Sequence, residues 1–158
     1  MMKPSENSWK LMRGMVAEFI QKFGASLDPR FWLTLIAEEH KELSEALEQN
    51  DKHQILKEAM DLYYVQVGFI LTSAAAEQLN LFSDTERGDI FQTLQNTSAL
   101  YEKAMDVLGD LNYFEAFRRV HLSNMSKLGD DGLPVYREDG KVLKGASYVP
   151  PKFSDLLK

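Results

Sequence analysis

Apolar residues recur at three- and four-residue steps over most of this chain, and each run is bounded by residues that start or stop helices. Trp9, Met12, Val16, Phe19, Ile20 and Phe23 form one stripe between Ser5, an N-cap residue, and Gly24. Asp28 and Pro29 then open a second helix that reaches about Gln49. A third helix, from about Asp51 to Ala76, is apolar almost all round, which marks it as central and buried. Ser83 and Glu86 have the spacing of a capping box for a fourth helix ending at Gly109, with Ile90, Leu94, Thr97, Tyr101, Ala104 and Leu108 inward. A fifth is expected from about Asn112 to Leu128, with Phe114, Phe117, Val120 and His121 inward.

After Gly129 the pattern changes. Asp130-Asp131-Gly132 and Glu138-Asp139-Gly140 are turn signals flanking Val135-Tyr136-Arg137 and Val142-Leu143, which predicts a short hairpin before Pro150-Pro151. The expected fold is all-α: a bundle of about five helices with a loop and short hairpin at the C-terminus. One domain spans residues 1–158, with residues 129–158 as a tail that closes over a substrate. The 158 residues, 44% of them hydrophobic, suffice for one core. Because the third helix is apolar on nearly every side, it needs more cover than so small a bundle provides, so a homodimer or a dimer of dimers is expected.

Net charge narrows the partners. At −6 the chain is not expected to bind nucleic acid or an anionic membrane surface. The longest apolar run, Tyr63 to Ala76, is interrupted by Gln66 and falls short of a membrane span. The absence of cysteine and of an apolar leader at the start fits a cytoplasmic protein.

Two acidic pairs carry the candidate chemistry. Glu39 and Glu42 lie three residues apart on the second helix, and Glu58 and Asp61 three apart on the third, so each pair shares a helix face. At about 100° per residue, Glu39 falls inside the stripe of Trp32, Leu35, Ile36 and Leu43, and Glu42 at its edge. Glu58 likewise sits among Ile55, Leu62 and Val65. A carboxylate turned into a core costs several kcal/mol unless it is paired, protonated or metal-bound. Lys41 and Lys57, adjacent to the acids in sequence, are expected to point elsewhere. A metal ion is the remaining neutraliser. No histidine follows a glutamate at the di-iron spacing and no zinc pattern occurs, so oxygen ligation points to Mg²⁺, with Mn²⁺ as a substitute. Beside such a cluster, Lys127, Arg137, Lys141 and Lys144 make sense as phosphate ligands.

The run Glu38-Glu39-His40-Lys41-Glu42, followed on the next helix by Glu58-Ala59-Met60-Asp61, resembles the all-α nucleoside triphosphate pyrophosphohydrolases. That superfamily includes the MazG proteins, dimeric dUTPases and phosphoribosyl-ATP pyrophosphatase. The stretch from Val120 to Lys127, ending Asn124-Met125-Ser126-Lys127, and the later Arg137 to Lys144 are similar to its short MazG-like branch, which includes bacterial dUTP-hydrolysing members. The segment from Leu79 to Asp110 departs from the short members as an inserted helix.

The resemblance implies hydrolysis of a nucleoside triphosphate, dUTP or a non-standard deoxyribonucleotide, to the monophosphate and pyrophosphate. Glu39, Glu42, Glu58 and Asp61 would hold Mg²⁺, and Glu38 or Glu45 would take the proton of the attacking water. Lys127, Arg137, Lys141 and Lys144 would bind the triphosphate, with Asn124 and Tyr148 on sugar or base. Phe31 and Trp32 are candidates for the base pocket, although Trp32 lies on the core stripe. The alternatives are a phosphoribosyl-ATP pyrophosphatase, a nucleotide-binding module without turnover, and a purely structural helical oligomer.

Overall fold

The helices form where caps and apolar stripes agree. In the computed structural model, which describes residues 3–78 and 80–158, they are α1 (Glu6–Phe23), α2 (Pro29–Gln49), α3 (Lys52–Gln78), α4 (Asp84–Leu108) and α5 (Tyr113–Met125). Met1, Met2 and Leu79, which the expected domain and inserted segment include, lie outside the described residues. The Ser5 hydroxyl accepts from the Ser8 N–H at 3.1 Å, and Gly24 closes α1 with φ at 59°. Asp28 accepts from the Arg30 N–H at 2.9 Å, with Pro29 at the first helical position. Both bonds of the Ser83–Glu86 capping box are made. Each cap satisfies backbone groups that a helix end leaves without an internal partner.

Helix α3 is the hub, packing against α1, α2, α4 and α5, most extensively against α2. Its residues Ile55, Leu56, Ala59, Met60 and Leu62 are fully buried. Helix α4 covers α3 and α2 with Leu100, Tyr101, Ala104 and Leu108. Leu100 joins its buried face, whereas Ile90 and Leu94 stay half-exposed.

Gly68 explains how α2 and α3 come so close. The Trp32 indole lies over it, buried to 1% exposure, and its N–H donates to the Ser26 carbonyl at 2.8 Å. A Cβ at residue 68 would overlap the Trp32 ring. Alanine in a helix interior ordinarily gains about 1 kcal/mol over glycine. Here the clash outweighs that gain, and Gly68→Ala is expected to lower stability by about 2 kcal/mol net. Urea unfolding checks the sign; a more stable variant would mean that the indole yields freely.

The C-terminal half differs from expectation in one respect. Helix α5 stops at Met125 and not at Leu128. Ser126 turns its hydroxyl to the Ser123 carbonyl at 2.6 Å and accepts from the Val149 N–H at 2.8 Å. Docking of the tail thus ends the helix, and Lys127 falls in the turn beyond it. Strands β1 (Val135–Tyr136) and β2 (Val142–Leu143) then pair antiparallel, Val135 opposite Leu143 and Tyr136 opposite Val142. Gly145 lies so close to the Leu128 carbonyl that a Cβ there would overlap it. The last residues are anchored by Phe153, which is fully buried, and by Arg119, which donates to the Lys152 carbonyl at 2.8 Å and to Asp155 at 2.6 Å.

Candidate active site

The acids of α2 and α3 meet across the interface of those helices. Glu39, Glu58 and Asp61 each place a carboxylate oxygen within 4.8 Å of the others. Glu39 and Glu58 are buried, and Asp61 is half-buried. Burial, then the field of Asp61, pushes the Glu39 carboxyl well above its usual range, with Glu42 and Glu58 adding to the rise. Burial and Asp61 push the Glu58 carboxyl up in the same way, against the pull of Lys57. Glu58 Oε2 is buried without a hydrogen-bond partner. An acceptor stranded in this way costs roughly 1–3 kcal/mol, which a cation would relieve.

Lys57 corrects one expectation. Its ammonium faces the cluster, donating to Asp61 at 2.8 Å and to Glu58 at 3.0 Å. The four-residue step to Asp61 puts both on one face, and the long stem swings back to Glu58. Burial would lower the Lys57 ammonium's pKa, but Asp61 and Glu58 more than offset it. Lys57 and Lys141, the latter 3.6 Å from Glu39 but shared with Glu38, set two ammonium groups against three clustered carboxylates and leave negative charge for a cation to balance. The donors are all oxygen and Glu58 Oε2 is unpaired, so the residues fit Mg²⁺ or Mn²⁺.

The cluster opens into a cavity of about 470 Å³ whose lining is mixed in character. Its lining combines the acids Glu39, Glu42 and Asp61, the lysines Lys57, Lys127, Lys141 and Lys144, the apolar side chains of Phe19, Phe31, Trp32, Tyr64 and Leu143, and Asn124. Trp32 therefore belongs to the core and to the cavity wall at once.

The expected site residues divide by place. Glu42 lines the cavity but stands outside the three-carboxylate cluster, because it is exposed at the edge of the α2 stripe. Glu38 accepts from Arg137 at 2.6 Å and from Lys141 at 2.7 Å, and these bonds, Arg137 foremost, hold its carboxyl below the usual range. Lys141 also lies 3.6 Å from Glu39, joining the hairpin to the cluster. Arg137 is outside the cavity lining and ties Glu38 to Asp139. Glu45 is exposed, 3.7 Å from Lys41, and away from the cavity. Tyr148 likewise lies off the cavity and supports Lys144, whose ammonium is 5.0 Å from its ring centre. Among the described residues the Lys127 ammonium makes no hydrogen bond or ion pair, and burial lowers its pKa against the pull of Asp61 and Glu39.

Sequence reasoning missed Lys57 and Tyr64. The four-residue step from Lys57 to Asp61 was a usable signal for the first. Tyr64, three residues after Asp61, has no such signal, because a tyrosine on a buried helix reads simply as core.

A helical bundle with clustered acids and several lysines around one cavity has the makings of a phosphoanhydride hydrolase. Residues 15–79 match the family model described as Phosphoribosyl-ATP pyrophosphohydrolase, a family within the MazG-like all-α nucleoside triphosphate pyrophosphatases. The members of that family are pyrophosphohydrolases, enzymes acting on phosphorus-containing anhydrides. The matched stretch holds all the clustered acids and Lys57, whereas Asn124 and the three cavity lysines lie beyond it. No curated protein and no solved structure matches the chain.

Proposed function

We propose that this protein hydrolyses a nucleoside triphosphate to the monophosphate and pyrophosphate, with dUTP or a non-standard deoxyribonucleotide as substrate. The observation that carries this reading is the cavity's pairing of a carboxylate cluster, with its unpaired Glu58 Oε2, against Lys127, Lys141 and Lys144. Glu39, Glu58 and Asp61 would hold the divalent ion, with Glu42 at the rim. When bound, Mg²⁺ or Mn²⁺ supplies positive charge that polarises the phosphoryl oxygens and acidifies water. The lysines meet the triphosphate and the charge that builds on the pyrophosphate as it leaves. Neither Glu38 nor Glu45 lines the cavity, but Glu38 shares Lys141 with Glu39 of the cluster, so it takes the proton of the attacking water in preference to Glu45, which is exposed beside Lys41. A triphosphate that draws Arg137 and Lys141 off Glu38 raises its basicity as substrate binds. The apolar lining, from Phe31 to Tyr64, suits a base.

A second reading, phosphoribosyl-ATP as substrate, is favoured by the family match over residues 15–79. A pyrophosphate-release screen of ribo- and deoxyribonucleoside triphosphates and phosphoribosyl-ATP, with Mg²⁺ and Mn²⁺, separates the two. Release from none of them would overturn both. Within that screen, Lys127→Ala is expected to lower kcat/KM roughly 10- to 150-fold, the loss of about 1.5–3 kcal/mol of charged hydrogen bonding to phosphate. Unchanged kinetics would return Lys127 to a solvent role.

The same reading includes a homodimer or a dimer of dimers in the cytoplasm. No helix among the described residues is long and apolar enough to cross a membrane. An apolar groove of about 830 Å³ runs between α1, α3 and α4, lined by Trp9, Tyr63, Val67, Ile70, Phe91 and Leu94. Phe91 is 63% exposed and Ile70 46%, on the faces that a second copy would cover. Sedimentation at micromolar concentration is expected to show no monomer, and a monomer alone would count against the dimer.

A further inference from the structure

Part of the cavity wall belongs to the C-terminal hairpin and not to the helical bundle. Gly140, Lys141, Val142, Leu143 and Lys144 all line the cavity, so the wall on this side is β2 and its flanks. Strand β1 lies off the cavity, and both its residues are exposed. Two residues of each strand pair, and so short a hairpin holds little structure by itself in water. Side chains have to fasten it to the bundle.

The fastenings sit at neighbouring residues and differ in kind. The Tyr136 hydroxyl donates to the Phe23 carbonyl at 2.6 Å. Phe23 is the last residue of α1, where carbonyls lack a partner within the helix, so this bond caps α1 and pins the hairpin at once. It is a neutral bond between residues outside the cavity lining. Arg137 and Lys141 instead donate to the Glu38 carboxylate, at 2.6 Å and 2.7 Å. That contact is ionic, and one of its cations, Lys141, lines the cavity. Both fastenings act directly on the wall. Tyr136 stands opposite Val142, and the Arg137 N–H donates to the Lys141 carbonyl at 2.8 Å.

We propose that the hairpin is a strap with one fixed and one exchangeable anchor. Tyr136 is the fixed one, a positioning residue that keeps Lys141 and Lys144 in the cavity wall. Glu38 is the exchangeable one, and it gives up its cations to an incoming triphosphate. This deepens the reading of the cavity as a triphosphate site and rests on it. A polyanion competes with a carboxylate for ammonium and guanidinium groups, but not for a phenol bonded to a carbonyl. The phosphates then hold the hairpin in the carboxylate's place, so closure over the substrate and release of Glu38 are one event.

Hydrogen exchange at the Arg137 amide, with inorganic triphosphate as the probe, separates the two anchors. Without ligand, Tyr136→Phe and Glu38→Ala are each expected to exchange about fivefold faster than the wild type. With Mg²⁺ and saturating triphosphate, the excess in Glu38→Ala is expected to fall below about twofold, while that in Tyr136→Phe persists. Calorimetry gives the second readout. The affinity of Tyr136→Phe for triphosphate is expected to weaken about fivefold, a change that lower fold stability alone would not produce.

Wild-type exchange and affinity in Tyr136→Phe would overturn the fixed anchor. A Glu38→Ala excess that survives saturation would overturn the exchange and leave the triphosphate reading intact. If the wild type binds no triphosphate, that reading fails and the exchange at Glu38 with it, and the ligand-free comparison alone decides Tyr136.

Discussion

Glu58→Gln is expected to abolish turnover while leaving the fold in place. The substitution keeps the shape of the side chain and the acceptor that Lys57 uses at 3.0 Å, but removes the charge at the buried, unpaired Oε2. A metal held by two carboxylates in place of three loses charge complementarity at the reacting phosphates. A loss of roughly 10³-fold in kcat, about 4 kcal/mol of barrier, is the expected scale. Without metal, one fewer acid in the cluster relieves repulsion, so the apo protein should melt at the same temperature or higher. The wild type should gain thermal stability as Mg²⁺ is added, and the variant should not. Near-wild-type turnover at saturating Mg²⁺, or an undiminished Mg²⁺-dependent rise in melting temperature, would remove Glu58 from the ligand set.

Phe153→Ala is expected to have the largest effect on stability, although Phe153 belongs neither to the acid cluster nor to the cavity lining. The ring is fully buried and packs against His53 with centres 5.2 Å apart. Truncating a buried phenylalanine typically costs about 3–5 kcal/mol, or about 10 °C in melting temperature for a chain of this size. Function should follow at temperatures where the variant remains folded. Ser123 donates to the Val149 carbonyl at 2.7 Å, and Ser147 donates to the Leu128 carbonyl at 3.2 Å, so the C-terminal segment fixes the path on which Lys144 and Lys141 lie. KM for the nucleotide is expected to rise more than kcat falls. A loss of under about 1 kcal/mol in a denaturant titration would show that the tail is held by its polar bonds alone.

The helices were legible because their signals are local. Ser5 with Gly24, Asp28 with Pro29, and Ser83 with Glu86 act within a turn of their own backbone, so their effect survives whatever packs outside. The buried placement of Glu39 and Glu58 was legible for a related reason, since the angle of a residue on a helix is fixed by its number. Edges were not. Glu42 lies at the rim of its stripe, and only the crossing of α2 over α3 decides which rim residues a cluster includes. The end of α5 was misjudged because its terminator is Val149, more than twenty residues further along the chain.

What the sequence by itself determined is therefore the bundle, its caps and the facing of two buried carboxylates, all consequences of a 3.6-residue period and short-range chemistry. Tertiary structure alone decided the polarity of the site: that Lys57 turns to Asp61, that Lys141 reaches both Glu38 and Glu39, and that the Lys127 ammonium lines the cavity without a partner among the described residues. It also brought Glu18, Tyr64 and His121 from three helices into one hydrogen-bonded chain. Charges and hydrogen bonds act across space over a few ångströms, so their partners follow from packing and not from spacing along the chain.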